Sequence, residues 1–425
     1  MSLTIGEIAD EVFGTEVPFQ LRAYDGSTGG NKNAGISLDL RTERGLRYLV
    51  TAPGELGLAR AYVQGDLAID GVDPGDPYDL LVQVKDKLGA KIPDPRKLKD
   101  ILGSLGAKMF LPPELPPQEN PPGWRRLAEG LRHSMTRDAL AIAHHYDVSN
   151  AFYELVLGPS MAYTCACYPR EDATLEEAQA AKFDLVCRKL DLKPGMRILD
   201  VGCGWGGMVR HAVKNYGVTA LGVTLSAEQA AYGQQWLERE GLADRGEVRH
   251  GDYRHVTESG FDAISSIGLT EHIGVKNYPA YFAFLAERVK DGGRLLNHSI
   301  TRPSNHFNQI TKGGFINRYV FPDGELAPVG VIINAMADQG FEVRHVEDLR
   351  EHYARTCRAW ARNLSGNWDA AVAEAGIGTA RVWGLYLSGS SLGFERNEIQ
   401  LHQVLGQKVG PGGVAAYPLR PDFGS

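Results

Sequence analysis

Cysteine is scarce in this chain, and several other features are missing altogether. The 425 residues include five cysteines, and their odd number and irregular spacing exclude a regular disulfide scaffold and favour a reducing compartment. No apolar run approaches the length of a membrane-spanning helix, so any membrane contact is expected to be peripheral. The first residues, MSLTIGEIADEVFG, lack the basic start and apolar core of a signal peptide. We therefore expect a cytoplasmic location with peripheral membrane association.

An excess of positive charge is also missing. The formal net charge of −7 argues against nucleic acid as a partner, because that binding depends on neutralising phosphates with Lys and Arg. One segment departs from this balance: from Lys85 to Arg137 there are eleven Lys or Arg and six Asp or Glu. Two interpretations stay open, a face for anionic lipid headgroups and the more common solvated helical surface.

The best domain boundary is a proline-rich stretch, LPPELPPQENPPGW, at residues 111–124. Its six prolines remove backbone donors and favour extended geometry. The 425-residue chain is also longer than a single domain usually is. We predict an amino-terminal accessory domain at 1–110, a linker at 111–124 and a catalytic domain at 125–425. Short alternating segments followed by helical patterns predict an α+β fold for the first of these.

Beyond the linker, strand-like and helix-like segments alternate. The β-rich segments are RILDVG, TALGVTL, GEVRHGD, FDAISSIG and GGRLLNHSI, and helix-length patterns separate them. A helix is also predicted after Thr174, where Glu177 completes a capping box. The alternation predicts an α/β fold of the Rossmann-like type, with a parallel sheet covered by helices on both faces.

A glycine loop follows the first of these strands. Gly202 and Gly204 lie in VGCGWGG, where glycines allow a tight turn and close approach of a ligand, although a simple packing turn has a similar pattern. A dinucleotide enzyme would need an acidic residue at the end of the second strand, which here ends in Thr and Ser. Asp200 before the glycines is typical of an S-adenosylmethionine site. Asp252 and Tyr253 after the third strand are candidates for the adenine side, and a plain turn role for Asp252 is equally open.

Several separated motifs occur in an order found in one known family. They are HYDVSN at 145–150, YTCA at 163–166, LDVGCGWGG at 199–207, GVTLS at 222–226, SIGLTEHIG at 266–274, LLNHSI at 295–300, FINRYVFP at 315–322, HYARTCRAW at 352–360 and IQLHQ at 399–403. In these motifs the chain resembles the cyclopropane fatty-acid and mycolic-acid cyclopropane synthase family. The segment GELGLARAYVQGD at 54–66 is similar to the extra amino-terminal domain of the phospholipid-acting members. In its amino-acid sequence the chain most resembles an actinobacterial branch of this family, in which some members make a methylene-branched, tuberculostearic-type chain.

The resemblance implies a reaction and a set of site residues. The implied reaction is methyl transfer from S-adenosylmethionine to the cis double bond of an unsaturated phospholipid acyl chain, with oleoyl as the expected chain, through a carbocation that bound bicarbonate deprotonates. The implied catalytic residues are Cys165, Glu271, His298, Tyr353 and the backbone of Ile300. The implied cofactor residues are Tyr163, Thr164, Asp200, Gly202, Gly204, Thr224, Leu225, Gln229, Asp252, Tyr253, Ile267 and Gly268. No metal site is expected.

Single residues of this set also have purely structural interpretations, and the protein as a whole has competing functional ones. Cys165 alone predicts an ordinary buried thiol, His298 a hydrogen-bonded core histidine and Tyr353 a core aromatic. The competing functions are a methyltransferase for a small polar acceptor and a lipid-binding protein without turnover. Many relatives have two aromatics after the Cys-Ala pair, whereas Cys167 stands here at the first of them. The sequence leaves open whether the product is a cyclopropane or a 10-methylene chain, and it does not fix the double-bond position or the headgroup. It also leaves open a homo-oligomer and a separate reductase for a methylene product.

Overall fold

A computed structural model describes residues 3–87, 100–101, 103–120, 148–305 and 313–424. Contacts within it divide the chain into two units, here called the amino-terminal unit (Met1–Pro122, Lys312–Val320 and Trp360–Leu392) and the large unit (Gly123–Thr311, Phe321–Ala359 and Gly393–Ser425). The predicted division was linear and made no allowance for the two later segments in the amino-terminal unit. Hydrophobic periodicity could not indicate them, since it does not say which core a helix packs against.

The amino-terminal unit combines a small sheet with helices. Its strands are β1 (Phe19–Ala23), β2 (Thr28–Gly30), β3 (Ile36–Leu40) and β4 (Leu67–Asp70), in the order β2-β1-β3-β4. β1 and β3 are parallel and the other pairs are antiparallel. Helices cover Ile5–Phe13, Glu43–Thr51, Glu55–Val63, Tyr78–Lys87, Phe315–Tyr319 and Trp368–Ala375, with a 3-10 turn at Ala107–Phe110. This is the α+β composition that the sequence predicted.

A buried ion cluster holds the later segment of this unit to the earlier one. Glu119, whose side chain is fully buried, accepts hydrogen bonds from Arg60 Nε at 2.6 Å and from Arg318 Nε at 2.7 Å. Both guanidinium groups are also largely buried. The two planar guanidinium groups satisfy the hydrogen-bonding capacity of one carboxylate. These hydrogen bonds offset part of the free-energy cost of removing the three charges from water.

The large unit is built on a sheet of seven strands among its described residues. They are β5 (Arg197–Val201), β6 (Thr219–Thr224), β7 (Gly246–His250), β8 (Phe261–Ile267), β9 (Val289–Thr301), β10 (Phe341–Asp348) and β11 (Gln400–Lys408), in the order β10-β11-β9-β8-β5-β6-β7. The five predicted strands, β5 to β9, are present and pair in parallel. β11 runs antiparallel to both its neighbours, which the prediction of a parallel sheet did not include.

Helices cover both faces of this sheet. Ile198 and Leu199 are adjacent in β5, are both fully buried, and belong to two different core clusters. Since neighbouring strand residues point to opposite faces, each face has a core of its own. The helices are Asn150–Leu157, Leu175–Lys189, Gly207–Tyr216, Ala227–Arg239, Thr270–Ile273, Tyr278–Arg288 and Val329–Ala337, while Arg350–Gly366 and Ile377–Glu395 contain residues of both units.

The sequence signal at the start of one of these helices is confirmed. Thr174 Oγ1 accepts a hydrogen bond from the Glu177 amide at 3.2 Å, and Glu177 Oε2 accepts one from the Thr174 amide at 2.9 Å. This capping box begins the helix Leu175–Lys189. Most of the basic segment from Lys85 to Arg137, and the predicted helical residues before 148, lie outside the described residues.

β5 is the strand where the order of the sheet reverses. It lies between β6 and β8, and the chain continues from β5 to β6 on one side before returning to β8 on the other. In open α/β sheets, ligands bind beyond the carboxyl ends of the strands at such a position. Within the described residues, no helix is both long enough and apolar enough to span a bilayer.

Candidate active site

The glycine loop leaves the carboxyl end of β5. The Val223 carbonyl oxygen accepts hydrogen bonds from the amides of Gly202 at 2.9 Å and Cys203 at 3.1 Å, which fixes the loop against β6. Gly202 and Gly204 have φ values of 76° and 55°, a region that residues with a Cβ adopt at a cost. A Cβ added at Gly204 would meet no atom within 4 Å, so the space over the loop is open. The loop therefore has the shape of a ligand-binding turn.

Asp200 lies under this loop. Ser265 Oγ, on the neighbouring strand β8, donates a hydrogen bond of 2.6 Å to its carboxylate. Burial raises the pKa of Asp200 to about 6, although the Ser265 hydrogen bond and the charge of Lys182 act in the opposite direction. The carboxylate thus joins β5 to β8, and Ser265 is a partner that no sequence pattern indicated.

The end of β6 contributes an unsatisfied donor. Thr224 Oγ1 donates to Gln229 Oε1 at 2.8 Å, which orients the amide of Gln229. Its Nε2 is buried and has no hydrogen-bond partner among the described residues. An unpaired buried amide costs about 1–3 kcal/mol, so an acceptor on a bound ligand would be stabilising there. The carbonyl oxygen of Leu225 lies 3.2 Å from His250 Nε2.

At the end of β7, the Asp252 carboxylate is already engaged. Arg254 donates to it from Nε at 2.8 Å, from Nη2 at 2.6 Å and from its amide at 2.9 Å. Burial acts to raise the pKa of Asp252, but the hydrogen bonds and charge of Arg254 outweigh burial and lower it. Asp252 therefore caps a short turn, as its plainer interpretation predicted, and its contact with a cofactor stays a prediction. The Tyr253 ring packs edge-on against Tyr281, with ring centroids 5.1 Å apart.

The segment from Tyr163 to Cys165 leads from the glycine loop to the predicted anion site. The Tyr163 ring lies 5.9 Å from that of Tyr153, which lies 4.8 Å from the ring of Trp205 in the loop. The next residue, Thr164, has its Oγ1 3.2 Å from His298 Nε2. Consecutive residues therefore reach the two predicted parts of the site.

Glu271 follows β8 and is buried with one carboxylate oxygen unpaired. Its Oε1 accepts a hydrogen bond of 2.7 Å from the Ile300 amide, whereas Oε2 has no partner among the described residues. Burial raises the pKa of Glu271 to about 7, and the Ile300 hydrogen bond opposes that rise. Both protonation states are therefore populated near neutral pH. The resemblance implied that the Ile300 amide donates to bicarbonate, whereas here it donates to Glu271.

His298 in β9 is buried and neutral. Burial lowers its pKa well below the usual value, and the charges of Lys182 and Lys189 act in the same direction. The His298 carbonyl oxygen accepts the amide of Gly268 at 2.8 Å, one residue beyond Ile267, with which His298 is paired across β8 and β9. The register of the sheet therefore brings Ile267, Gly268, Glu271 and His298 to one edge.

Cys165 and Tyr353 share a contact with one carbonyl group. The Cys165 thiol donates to the Ala166 oxygen at 3.1 Å and lies 3.8 Å from the Leu349 oxygen, which also accepts the Tyr353 amide at 3.1 Å. Burial raises the pKa of Cys165 well above that of a free thiol. Cys165 is thus a thiol and not a thiolate nucleophile. The Tyr353 ring stacks on Phe394, with ring centroids 4.5 Å apart.

Cys167, the departure from the family pattern, has the same chemical character. It is buried, and burial raises its pKa to about 12. Its amide donates to the Ala178 oxygen at 2.9 Å, so the backbone there is held against the helix Leu175–Lys189. The thiol adds no charge to its surroundings at neutral pH.

Two buried lysines of that helix were not predicted. Lys182 is fully buried, its Nζ has no hydrogen-bond partner among the described residues, and it lies 3.5 Å from the centroid of the Phe183 ring. Burial lowers the pKa of Lys182 to about 7. Lys189 donates to Gln403 Oε1 at 2.7 Å. In sequence, both look like the polar positions of an amphipathic helix, and no local signal distinguishes them from solvated lysines.

Comparison with known proteins agrees with this geometry. The family model described as mycolic acid cyclopropane synthetase matches residues 133–404. The chain belongs to this family. The match covers the strands β5 to β9 and all the residues predicted for the site, so the resemblance inferred from separated motifs is confirmed.

Two named relatives and one solved structure are similar to this member of the cyclopropane synthetase family. A protein of Mycobacterium tuberculosis named probable fatty acid methyltransferase Rv3720 is 57% identical over 420 residues, 99% of this chain and 98% of the relative. The cyclopropane-fatty-acyl-phospholipid synthase of Escherichia coli strain K12 is 32% identical over 356 residues, 84% of each chain. The crystal structure of mycolic acid cyclopropane synthase CmaA1 complexed with SAH and CTAB matches with a TM-score of 0.60 and 33% identity, covering 64% of this chain and 98% of that one. The chain is an S-adenosylmethionine-dependent methyltransferase with a Rossmann-like fold.

Proposed function

We propose that this enzyme methylates the cis double bond of an unsaturated phospholipid acyl chain, oleoyl first among them, and that bound bicarbonate takes up the proton lost from the resulting cation. The product is a cyclopropane or a 10-methylene chain. The observation that carries the proposal is the buried polar set beside the glycine loop, in which neutral His298 contacts Thr164 and Glu271 keeps one carboxylate oxygen unpaired.

The glycine loop and the end of β6 fit S-adenosylmethionine. When bound, this group supplies an electrophilic methyl carbon. Gly204 leaves room for it over the loop, and Gln229 Nε2 offers it an unpaired buried donor. The further residues proposed to hold it are Tyr163, Thr164, Asp200, Thr224, Leu225, Asp252, Tyr253, Ile267 and Gly268.

The polar set beyond it fits a small anion. Bicarbonate held there supplies a base that competes poorly for the methyl group. His298 Nε2 can donate to Thr164 Oγ1, which leaves the Thr164 hydroxyl hydrogen as a donor for the anion, and a protonated Glu271 offers a second donor through its unpaired oxygen. Because the pKa of Glu271 is raised to about 7, the carboxyl can hold its proton beside an anion, where a carboxylate would repel it.

The residues around this set are suited to a reaction that passes through a cation, because they exclude water and can stabilise positive charge. An alkene is a poor nucleophile, so the reacting atoms must be held in line and shielded from water. Cys165 is fully buried and uncharged, so it excludes water without competing for the methyl group. The Tyr353 ring, held by its stack on Phe394, can present an aromatic face to positive charge. Ring and methylene products differ only in which proton the same cation loses.

A phospholipid substrate also implies a membrane surface. The Escherichia coli relative is named for a fatty-acyl phospholipid, and the sequence of the amino-terminal unit resembles the phospholipid-acting members. We propose peripheral attachment of this enzyme to a phospholipid surface. A methylene product would further require a separate reductase to give a saturated methyl branch, and a homo-oligomer is compatible with the proposal.

Incubation of the purified chain with S-adenosylmethionine and phospholipid vesicles tests the substrate. Dioleoyl phosphatidylglycerol should gain one CH₂ unit per modified acyl chain by mass spectrometry, whereas matched distearoyl vesicles should gain none, because they lack a double bond. Methylation of the headgroup in both, or of neither lipid while the cofactor binds, would contradict the proposal. The second result would favour a small polar acceptor or a lipid-binding protein without turnover.

Removal of bicarbonate tests the base. Dialysis in buffer free of carbon dioxide should lower the rate of methylation, and added sodium bicarbonate should restore it, whereas sodium chloride at the same ionic strength should not. Cofactor affinity, measured by calorimetry, should stay constant throughout. A rate that does not respond to bicarbonate would assign the proton to a side chain of this set instead.

A further inference from the structure

A row of buried polar side chains continues behind His298. In the register of the sheet, His298 in β9 pairs with Gln403 in β11, and Gln403 pairs with Glu347 in β10. Gln403 Nε2 lies 3.1 Å from His298 Nδ1, and Gln403 Oε1 accepts a hydrogen bond of 2.7 Å from Lys189 Nζ. Lys189 also forms an ion pair with Glu347. His298, Gln403 and Lys189 are each at most 1% exposed.

The chemistry of these groups determines the direction of each hydrogen bond. The ammonium group of Lys189 has only donors, so the Gln403 atom that faces it must be the carbonyl oxygen. The amide nitrogen of Gln403 then faces His298, and since that nitrogen has only donors, His298 Nδ1 must accept. A neutral imidazole with Nδ1 as acceptor carries its hydrogen on Nε2. That hydrogen points to Thr164, on the side of the proposed anion site.

We propose that Gln403 and Lys189 are positioning residues, which hold neutral His298 in the tautomer that donates from Nε2. The inference rests on the proposed function for its purpose, since a donor at Nε2 leaves the Thr164 hydroxyl hydrogen free for an anion, whereas in the other tautomer Nε2 would accept that hydrogen. The tautomer itself follows from the contacts alone. Neither Gln403 nor Lys189 is among the site residues that the family resemblance implied, although Gln403 lies in the motif IQLHQ.

The charges around His298 keep the arrangement in one state. Burial lowers the pKa of His298, and the charges of Lys182 and Lys189, both on the helix Leu175–Lys189, further disfavour a positively charged imidazole. Burial lowers the pKa of Lys189, but the hydrogen bond and charge of Glu347 oppose this and support the ammonium form. Thr164 and Gln403, the two groups in direct contact with the ring, are uncharged. The ring is therefore held neutral, with its hydrogen directed by its neighbours.

Nitrogen NMR of the enzyme labelled with ¹⁵N-histidine tests the tautomer without any turnover. The His298 signals, identified by their loss in His298→Gln, should show a bare Nδ1 and a protonated Nε2 in the wild-type enzyme. In Gln403→Glu, the new carboxylate accepts a hydrogen bond and should move the hydrogen to Nδ1. A wild-type spectrum with the hydrogen on Nδ1 would overturn the inference, and this measurement needs no variant of Gln403 to fold.

Kinetics then test the positioning role. Gln403→Glu should lower kcat on the order of 10- to 100-fold, as when an outer partner of a ligating histidine is removed. KM and affinity for the cofactor should stay near wild type, and the pH profile of kcat should shift because a carboxylate favours the charged imidazole. The matched control is Gln407→Glu, in the same strand, where Nε2 donates instead to the oxygens of Gly292 and Ala416 at 3.0 Å.

The two variants separate a positioning role from a structural one. Gln407→Glu should lose stability without a shifted pH profile, whereas an unchanged kcat in Gln403→Glu would overturn the inference. If the wild-type tautomer is as expected but no acyl chain is methylated, the proposed function fails and the assignment of the tautomer stands.

Discussion

The two halves of the site are assembled in different ways. At the ends of β6 and β7, partners are close in sequence: Thr224 contacts Gln229 five residues on, and Asp252 contacts Arg254 two residues on. At the proposed anion site, here called the anion end, His298 contacts Thr164 and Gln403, which are 134 and 105 residues away. These two strand ends are therefore built from local turns, whereas the anion end exists only after distant strands have come together.

This difference has a counterpart in charge. The cofactor end offers open space over Gly204 and a neutral donor at Gln229, and its carboxylates Asp200 and Asp252 are already engaged by Ser265 and Arg254. The anion end has two titratable groups with shifted pKa values, since burial raises that of Glu271 to about 7 and lowers that of His298. Changes at the two ends should therefore affect different quantities, affinity at the first and turnover at the second.

The largest expected effect comes from Glu271→Gln. The amide oxygen can still accept the Ile300 hydrogen bond, but the exchangeable proton is lost, so turnover should fall by about 10²- to 10⁴-fold. Cofactor affinity, measured by calorimetry, should be unchanged. The matched control is Glu325→Gln, in which a carboxylate that accepts the Val275 amide at 3.0 Å is changed in the same way, with turnover close to wild type. An equal loss of affinity and turnover in Glu271→Gln would remove the distinction between the two ends.

A smaller effect, in the opposite quantity, is expected for Gly204→Ala. The new Cβ would extend into the open space over the loop and should raise the cofactor Kd by about tenfold, or ~1.4 kcal/mol. The backbone strain at φ 55° should also lower the free energy of unfolding by about 1–2 kcal/mol. Gly195→Ala is the control, since Gly195 has φ 85° and equally open surroundings in the turn before β5. It should lose similar stability and keep its affinity; a raised Kd in both variants would count against the loop as the cofactor site.

The third expected effect is on stability and depends on pH. The folded-state pKa of Glu271, about 7, exceeds the ordinary glutamate value of 4.5, so between these values the folded chain retains a proton that the unfolded chain has lost. The free energy of unfolding should therefore fall as pH rises through this window, by up to about 3 kcal/mol from this group. Glu271→Gln lacks this contribution and should be the more stable protein at pH 8. Denaturant unfolding of both proteins from pH 5 to 8 measures the difference, and a constant difference would show that Glu271 titrates normally.

The comparison also explains how much of the molecule could be predicted. The five parallel strands, the capping box at Thr174 and the glycine loop depend on local patterns, and all were predicted from the sequence. The antiparallel strand β11 was not, because a short apolar segment does not reveal its direction. The family resemblance supplied the candidate catalytic residues, which spacing alone could not have brought together.

Residues that act through distant contacts were missed for the same reason. Lys189 and Gln403 contact each other across 214 residues of sequence. A lysine in an amphipathic helix predicts a solvated side chain, and its burial becomes visible only when the strands that cover it are known. Likewise, the Ile300 amide was expected to face an anion, and the structure places it on Glu271.

The most direct test of the account follows the methyl carbon itself. The enzyme would be incubated with S-adenosylmethionine labelled with ¹³C in the methyl group and with dioleoyl phosphatidylglycerol vesicles, and carbon NMR of the extracted lipid would locate the label. The account predicts label in the acyl chain, as a ring CH₂ or as a vinylidene carbon at the former double bond. Label on the headgroup or on another polar acceptor, with the acyl chains unlabelled, would contradict it.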